Sequence, residues 1–231
     1  MPIGTIRREP SVTVTTELPT TVMGRVTALL APFRDAESLT LTELARHTGF
    51  PRSSAHRMLL QLVQVGWIDR EGTSYRLGAK FVELGGLARS YDGIHRAALP
   101  VMHGLWHSTG LVVQLAVLDG DSVLYLEKTG GRRADDVATR VGERRPVQST
   151  FEGRALSAHR GGTPSLHEGH APLRIRPTGV DEPARCIAAA FDSGCGETAA
   201  ISVTGIEVCE PRDVGRLLRD AVAVVAMRSP R

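Results

Sequence analysis

Arg52-Ser53-Ser54-Ala55-His56-Arg57, with Gln61 one helical turn on, is the stretch of this 231-residue chain best suited to a polyanion. Two small hydroxyls at a helix start lie beside free amides and the positive end of the helix dipole, which favours phosphate oxygens. Arg57 can pair in bidentate fashion with guanine and Gln61 with adenine, while His56 adds a donor on the same face. Any amphipathic helix has a polar face, however, and most such faces are only solvated. The meaning of these residues therefore rests on the elements that would position them.

Those elements run from Thr40 to Gly78. Thr40-Leu41-Thr42-Glu43 fits a capping box, in which the Thr40 hydroxyl takes the Glu43 amide and the Glu43 carboxylate returns to the Thr40 amide. The helix so started buries Leu41, Leu44 and Ala45 and ends at Gly49, which accepts a left-handed exit. Phe50-Pro51 makes the turn. The following helix, Arg52 to Val65, points Ala55, Met58, Leu59, Leu62 and Val65 inward at three- and four-residue steps. Its other side is left to Arg52, Ser53, Ser54, His56, Arg57 and Gln61. Trp67, Tyr75 and Leu77 then alternate around the polar Asp69–Ser74 stretch, a hairpin signal. Arg70 and Arg76 sit where such a wing would meet a phosphate backbone. The whole reads as a winged helix-turn-helix, whose second helix fits the DNA major groove.

Charge agrees with that placement. Residues 1–90 hold 11 Lys/Arg against 8 Asp/Glu, whereas residues 91–231 hold 17 of each. Phosphate contacts need this excess on the reading head.

Other chemistries find less support. His103 and His107 would share a helix face, yet no acidic or cysteine partner is suggested, so no metal site or other cofactor is expected. Three cysteines (Cys186, Cys195, Cys209) offer no Cys-x-x-Cys and no complete pairing, and read as reduced residues. Cys186 as a nucleophile would need a basic partner that no pattern supplies, so catalysis is not expected. Gly130-Gly131 and Gly161-Gly162 lack the frame of a phosphate loop.

With 42% hydrophobic and 23% charged residues, the composition is that of a soluble globular chain. Neither a membrane span nor a secretory signal is evident, which suggests a cytoplasmic protein. Residues 1–20 read as a disordered arm, and 21–77 as the DNA-binding domain, opened by a helix carrying Val22, Val26, Leu29, Leu30 and Phe33. Residues 78–92 read as a linker helix weakened at Gly85-Gly86. Residues 93–231 read as a second domain. There Ile94–Ser108 is a helix, and Val112–Leu118 and Ser122–Lys128 form a hairpin around Asp119-Gly120-Asp121. Val137–Pro146 is a short strand and turn, Glu152–Ala158 a short helix, and His159–Pro183 a loop. Cys186–Phe191 and Glu197–Thr204 are the last strands, and Pro211–Met227 is the closing helix. Strand pairs with flanking helices give an α+β domain with a mainly antiparallel sheet.

LTELARHTGFPRSSAHRMLLQLVQVGWI and YRLGAKFVELG resemble the IclR family of bacterial transcriptional regulators, a resemblance that covers roughly residues 21–225. It implies a winged helix-turn-helix, a linker helix and a GAF-like α+β effector-binding domain. It also implies a dimer or tetramer on a palindromic double-stranded operator, and we expect the chain to act as a repressor. By resemblance, Arg52, Ser53, Ser54, His56 and Arg57 contact DNA, with Arg70 and Arg76 in the wing. A small-molecule effector is implied for a cavity lined by Thr150, Phe151, Glu152 and Gly153, with Cys186, Ser202 and Thr204 on a later wall. Ser202 and Thr204 share one face of a strand. The chain departs from the family between Gly161 and Arg185, where the usual helix and acidic cluster are replaced by a short Pro-rich segment. A second domain that only oligomerises is therefore the alternative, and a Cys186-dependent enzyme with a DNA-binding head is the remote one.

Overall fold

The computed structural model describes residues 19–162, 166–174, 181–193, 197–205 and 211–228. The arm expected over residues 1–20 lies outside them except for its last two residues, as do Cys195 and Cys209. Two compact units divide between Leu84 and Gly85.

The first unit opens with α1 (Val22–Leu30), which Thr21 caps by accepting from the Gly24 amide at 3.1 Å. A 3-10 turn over Ala31–Arg34 follows. Leu39–Thr40 (β1) leads into α2 (Leu41–Thr48), whose start carries the full capping box. Glu43 N donates to Thr40 Oγ1 at 3.3 Å and Thr40 N donates to Glu43 Oε2 at 2.8 Å. Gly49 ends α2 at φ 70°, where a side chain would be strained. Beyond Pro51, α3 spans Arg52–Gln64, and β2 (Ile68–Glu71) pairs antiparallel with β3 (Ser74–Leu77). The strand order is β1-β3-β2. Leu29, Phe33, Leu44, Phe50, Ala55, Leu59, Leu62, Ile68 and Tyr75 form one buried core.

Two residues expected on inward faces lie outside. Val65 is 58% exposed, because it is the C-cap of α3 at φ −92°, ψ 3° and has left the helical stripe. Val22, at the first position of α1, is 77% exposed. Nor do Gly85 and Gly86 interrupt the next helix: α4 runs unbroken over Ala79–Tyr91 and buries none of its residues. Glycine costs about 1 kcal/mol in a helix interior, which lowers helix stability without forbidding it.

The second unit is built on a six-stranded antiparallel sheet with order β6-β5-β4-β9-β8-β7. Its elements in chain order are α5 (Gly93–Thr109), β4 (Val112–Asp119), β5 (Ser122–Thr129), β6 (Arg144–Pro146), α6 (Phe151–Arg160), β7 (Leu166–Arg174), β8 (Asp181–Asp192), β9 (Thr198–Gly205) and α7 (Pro211–Arg228). Helices α5 and α7 cover one face over Ile94, Met102, Leu115, Ile201, Leu218 and Val225. The opposite face packs Ala116, Tyr125, Ala188 and Ala200 against Ala155 and Leu156 of α6.

The segment read as loop over His159–Pro183 instead contains the end of α6, all of β7 and the start of β8, which pair from Leu166↔Ala189 to Arg174↔Asp181. Its lack of hydrophobic period follows from its place at the sheet edge. An edge strand accommodates proline, which has no amide to give to a further neighbour.

One irregularity matters for the site. β4 and β5 pair Leu115↔Glu127 and then Ala116↔Tyr125, so Leu126 is an inserted residue, a β-bulge. Regular alternation would place Tyr125 and Glu127 on the same face. The bulge instead leaves Tyr125 in the α6 layer while Leu126 packs on the α5/α7 core and Glu127 bonds His95 of α5.

Candidate nucleic-acid interface and ligand cavity

Along α3, Ala55, Leu59 and Leu62 are buried, while Arg52, Ser53, Arg57 and Gln61 are exposed and Ser54 and His56 are half-buried. The polar set therefore shares the outer side of one helix. α1, α2, α5 and α6 each have a side-chain cap, but α3 starts at Pro51 with none. Its first amides are thus left to an external acceptor, as phosphate binding at a helix start requires. Arg52 is partly committed within the protein, donating to Thr42 Oγ1 of α2 at 3.0 Å.

The wing arginines are more committed than sequence reasoning suggested. Arg76 lies 3.7 Å from both Asp69 and Glu71, and Arg70 donates to the Gly72 carbonyl at 3.0 Å and stands over the Tyr75 ring. Both remain exposed, but two carboxylates share the same hairpin. The signal was available: cross-strand register sets Asp69 opposite Arg76.

In the second unit, a cavity of about 130 Å³ opens beneath the start of α6. Of the seven residues expected there, Thr150, Phe151, Glu152, Cys186 and Thr204 line it. Thr150 caps α6 by accepting from the Gly153 amide at 2.9 Å. Gly153 supports the wall from behind, since a Cβ there would lie 2.0 Å from the Val147 carbonyl oxygen. Ser202 also stands behind the wall, fully buried, donating to Glu152 Oε1 at 2.6 Å. Tyr125 donates to Glu152 Oε2 at 3.0 Å, so two hydroxyls hold the buried carboxylate.

Burial first, and then the Glu152 charge, push the Tyr125 hydroxyl far above its ordinary range and the Cys186 thiol likewise. Cys186 sits 3.3 Å from the Thr204 hydroxyl and stays a protonated thiol, a poor nucleophile.

Sequence reasoning missed Gln114, Tyr125, Thr139 and Arg145, which also line the cavity. Gln114 is 1% exposed and Thr139 8% exposed. Among the described residues, Gln114 Nε2 and Thr139 Oγ1 are the buried side-chain polar atoms without a hydrogen-bond partner, and both belong to this one cavity. A glutamine inside the apolar run VVQLAVL was the available signal. Arg145 brings a guanidinium whose Nε donates to Glu143 at 2.6 Å. His103 and His107 are exposed on α5, and among the described residues no group of three His, Cys, Asp or Glu is arranged to hold a metal ion.

A winged helix-turn-helix joined to a helix-covered antiparallel domain defines the class, and comparison with known proteins places it. Residues 23–72 match the IclR helix-turn-helix domain, and residues 88–166 match the bacterial transcriptional regulator IclR C-terminal domain. The chain belongs to the IclR family of bacterial transcriptional regulators. It is 38% identical over 130 residues to the HTH-type transcriptional regulator KipR of Bacillus subtilis (strain 168), covering 56% of this chain and 52% of KipR. It is 34% identical over 125 residues to XynR of Escherichia coli (strain K12), covering 53% and 50% respectively. The chain thus spans about half the length of these curated relatives. An IclR homolog from Microbacterium hydrocarbonoxydans, crystallised with 4-hydroxybenzoate, superposes with TM-score 0.73 at 25% identity over 90% of this chain and 98% of that one. No helix among the described residues is long and apolar enough to cross a membrane.

Proposed function

We propose that this chain is a sequence-specific DNA-binding transcriptional regulator of the cytoplasm whose second unit senses a small molecule. Arg57 and Gln61 of α3 read bases; Arg52, Ser53, Ser54 and His56 hold the adjoining backbone, with Arg70 and Arg76 on the flank. The observation that carries this reading is the uncapped start of α3 beneath a polar, exposed face. Membership of a regulator family supports it. Leu84, Leu87 and Tyr91 are exposed along α4 at helical spacing, which suits a homodimer on a palindromic operator. Repression is the sign of regulation we assign.

Footprinting on the DNA upstream of its own gene tests the reading. A protected, sequence-selective site whose affinity falls steeply with salt is expected. Uniform binding to unrelated DNA would overturn it.

The effector reading rests on Gln114 Nε2 and Thr139 Oγ1, two buried polar atoms that converge on one cavity without partners. Such atoms cost about 1–3 kcal/mol each when unmatched, which a bound ligand recovers. 4-Hydroxybenzoate, bound by the Microbacterium hydrocarbonoxydans homolog, is the first probe. At 100 times its dissociation constant a ligand adds roughly 2.7 kcal/mol of stability. No thermal shift across a panel of aromatic and aliphatic acids would leave a domain that only oligomerises.

A further inference from the structure

On the α5 side of the sheet, Glu127 Oε2 accepts from two groups at once, Arg89 of α4 and the ring nitrogen of His95 on α5, the latter at 2.8 Å. Its other oxygen accepts the Lys128 amide at 2.8 Å. Glu127 and His95 are buried, while Arg89 is half-exposed. Within the second unit this cluster is the hydrogen-bonded tie between the last turns of α4 and the sheet, and α4 buries no residue of its own. Burial alone would raise the Glu127 pKa, yet the His95 and Lys128 bonds and the Arg89 charge hold it below the ordinary carboxylate value, so Glu127 is the anionic centre of the tie.

Two other residues of β5 connect this glutamate to the cavity. Tyr125 lines it, placed there by the Leu126 bulge. The Lys128 ammonium donates to the carbonyls of Val137 and Thr139, at 2.6 and 2.7 Å, and both residues are cavity walls. Lys128 thus fixes the segment that carries the unpartnered Thr139 hydroxyl. A ligand that bonds Thr139 pulls on the chain held by Lys128, whose own amide is bonded to Glu127.

We infer that Arg89, Glu127 and His95 form a latch through which occupancy of the cavity alters how firmly the end of α4 is held. The inference rests on the effector reading above and assigns the route of its regulation. Contiguous contacts alone do not establish coupling; a double-mutant cycle does.

The test is hydrogen exchange on the full-length protein, followed at the α4 amides of residues 85–91. Glu127→Gln keeps the shape and removes the charge, and should speed their exchange about tenfold or more. Lys128→Met, which frees the Val137 and Thr139 carbonyls, should also speed it, and should add nothing in the Glu127→Gln background. If Lys128→Met does not fold, Lys128→Gln, which keeps a donor for one carbonyl, takes its place. Multiplicative effects in the double variant, or an α4 indifferent to the Lys128 substitution, would overturn the latch. 4-Hydroxybenzoate provides the second arm: in wild type it should change α4 exchange, and in Glu127→Gln it should bind equally well without that change. Absence of any binding by wild type counts against the effector reading for this probe, and the mutant cycle still decides the latch. Binding with the same α4 response in Glu127→Gln and wild type would also overturn it.

Discussion

Ser202 Oγ donates to Glu152 Oε1 at 2.6 Å in the closed interior between β9 and α6. A hydroxyl on a strand and a carboxylate on a helix thereby fix the wall of the cavity. Ser202→Ala leaves a buried carboxylate oxygen without that partner, which costs about 1–3 kcal/mol. Urea denaturation should show a lower midpoint at unchanged slope.

The proposed reading face of α3 can be separated from its scaffolding. Arg57→Ala should remove about 1–3 kcal/mol of preference for the cognate site over a changed base pair, measured by competition binding. Arg76→Ala should cost less, because its guanidinium already lies beside Asp69 and Glu71. Equal losses for the two variants would argue against the assigned roles.

Thr40→Ala removes the hydroxyl that accepts the Glu43 amide, and should destabilise the first unit by about 1 kcal/mol. The fold-wide effect reads out as a lower thermal midpoint, while the affinity of folded protein for DNA should hardly change.

At Gly153 any side chain meets backbone: a Cβ would fall 2.0 Å from the Val147 carbonyl oxygen. Gly153→Ala should therefore cost at least the ~1–3 kcal/mol typical of overpacking. A thermal midpoint equal to wild type would show that the Val147 turn yields freely.

Acid stability should report on Glu127, which faces His95 of α5, Arg89 of α4 and the amide of Lys128. Its folded pKa lies below the ordinary value of 4.5, so its contribution is full above that pH and is lost as pH falls through the lower folded value. The gap in urea midpoint between wild type and Glu127→Gln should close as pH falls below the ordinary carboxylate value. A gap that widens as pH falls through that acid range would contradict the arrangement.

The first unit was legible in the sequence because its signals are local. The Thr40–Glu43 box, the Gly49 exit and the Ala55/Leu59/Leu62 stripe each lie within a turn or two of chain. The cavity was half legible. Thr150, Phe151 and Glu152 came as one contiguous motif, but Gln114, Tyr125 and Thr139 reach it from separate strands and a turn. Which face each strand residue takes depends on register, and the Leu126 bulge changes that register without a glycine or proline to mark it. β7 was missed for a related reason: a strand at the sheet edge is held by backbone pairing and does not need the apolar alternation that betrays a strand.

Leu126 also makes β5 a strand whose length is fixed more tightly than its composition. Another apolar residue can stand at position 126, since its role is to occupy the α5/α7 side. Removing the position would bring the strand back into regular two-residue phase and set its two ends at odds. If Tyr125 kept its hold on α6, the glutamate would swing away from His95. If the glutamate kept its hold, the tyrosine would leave Glu152. Variation among descendants of this chain should therefore take the form of exchanges at 126, with gains and losses of a residue confined to the turns on either side.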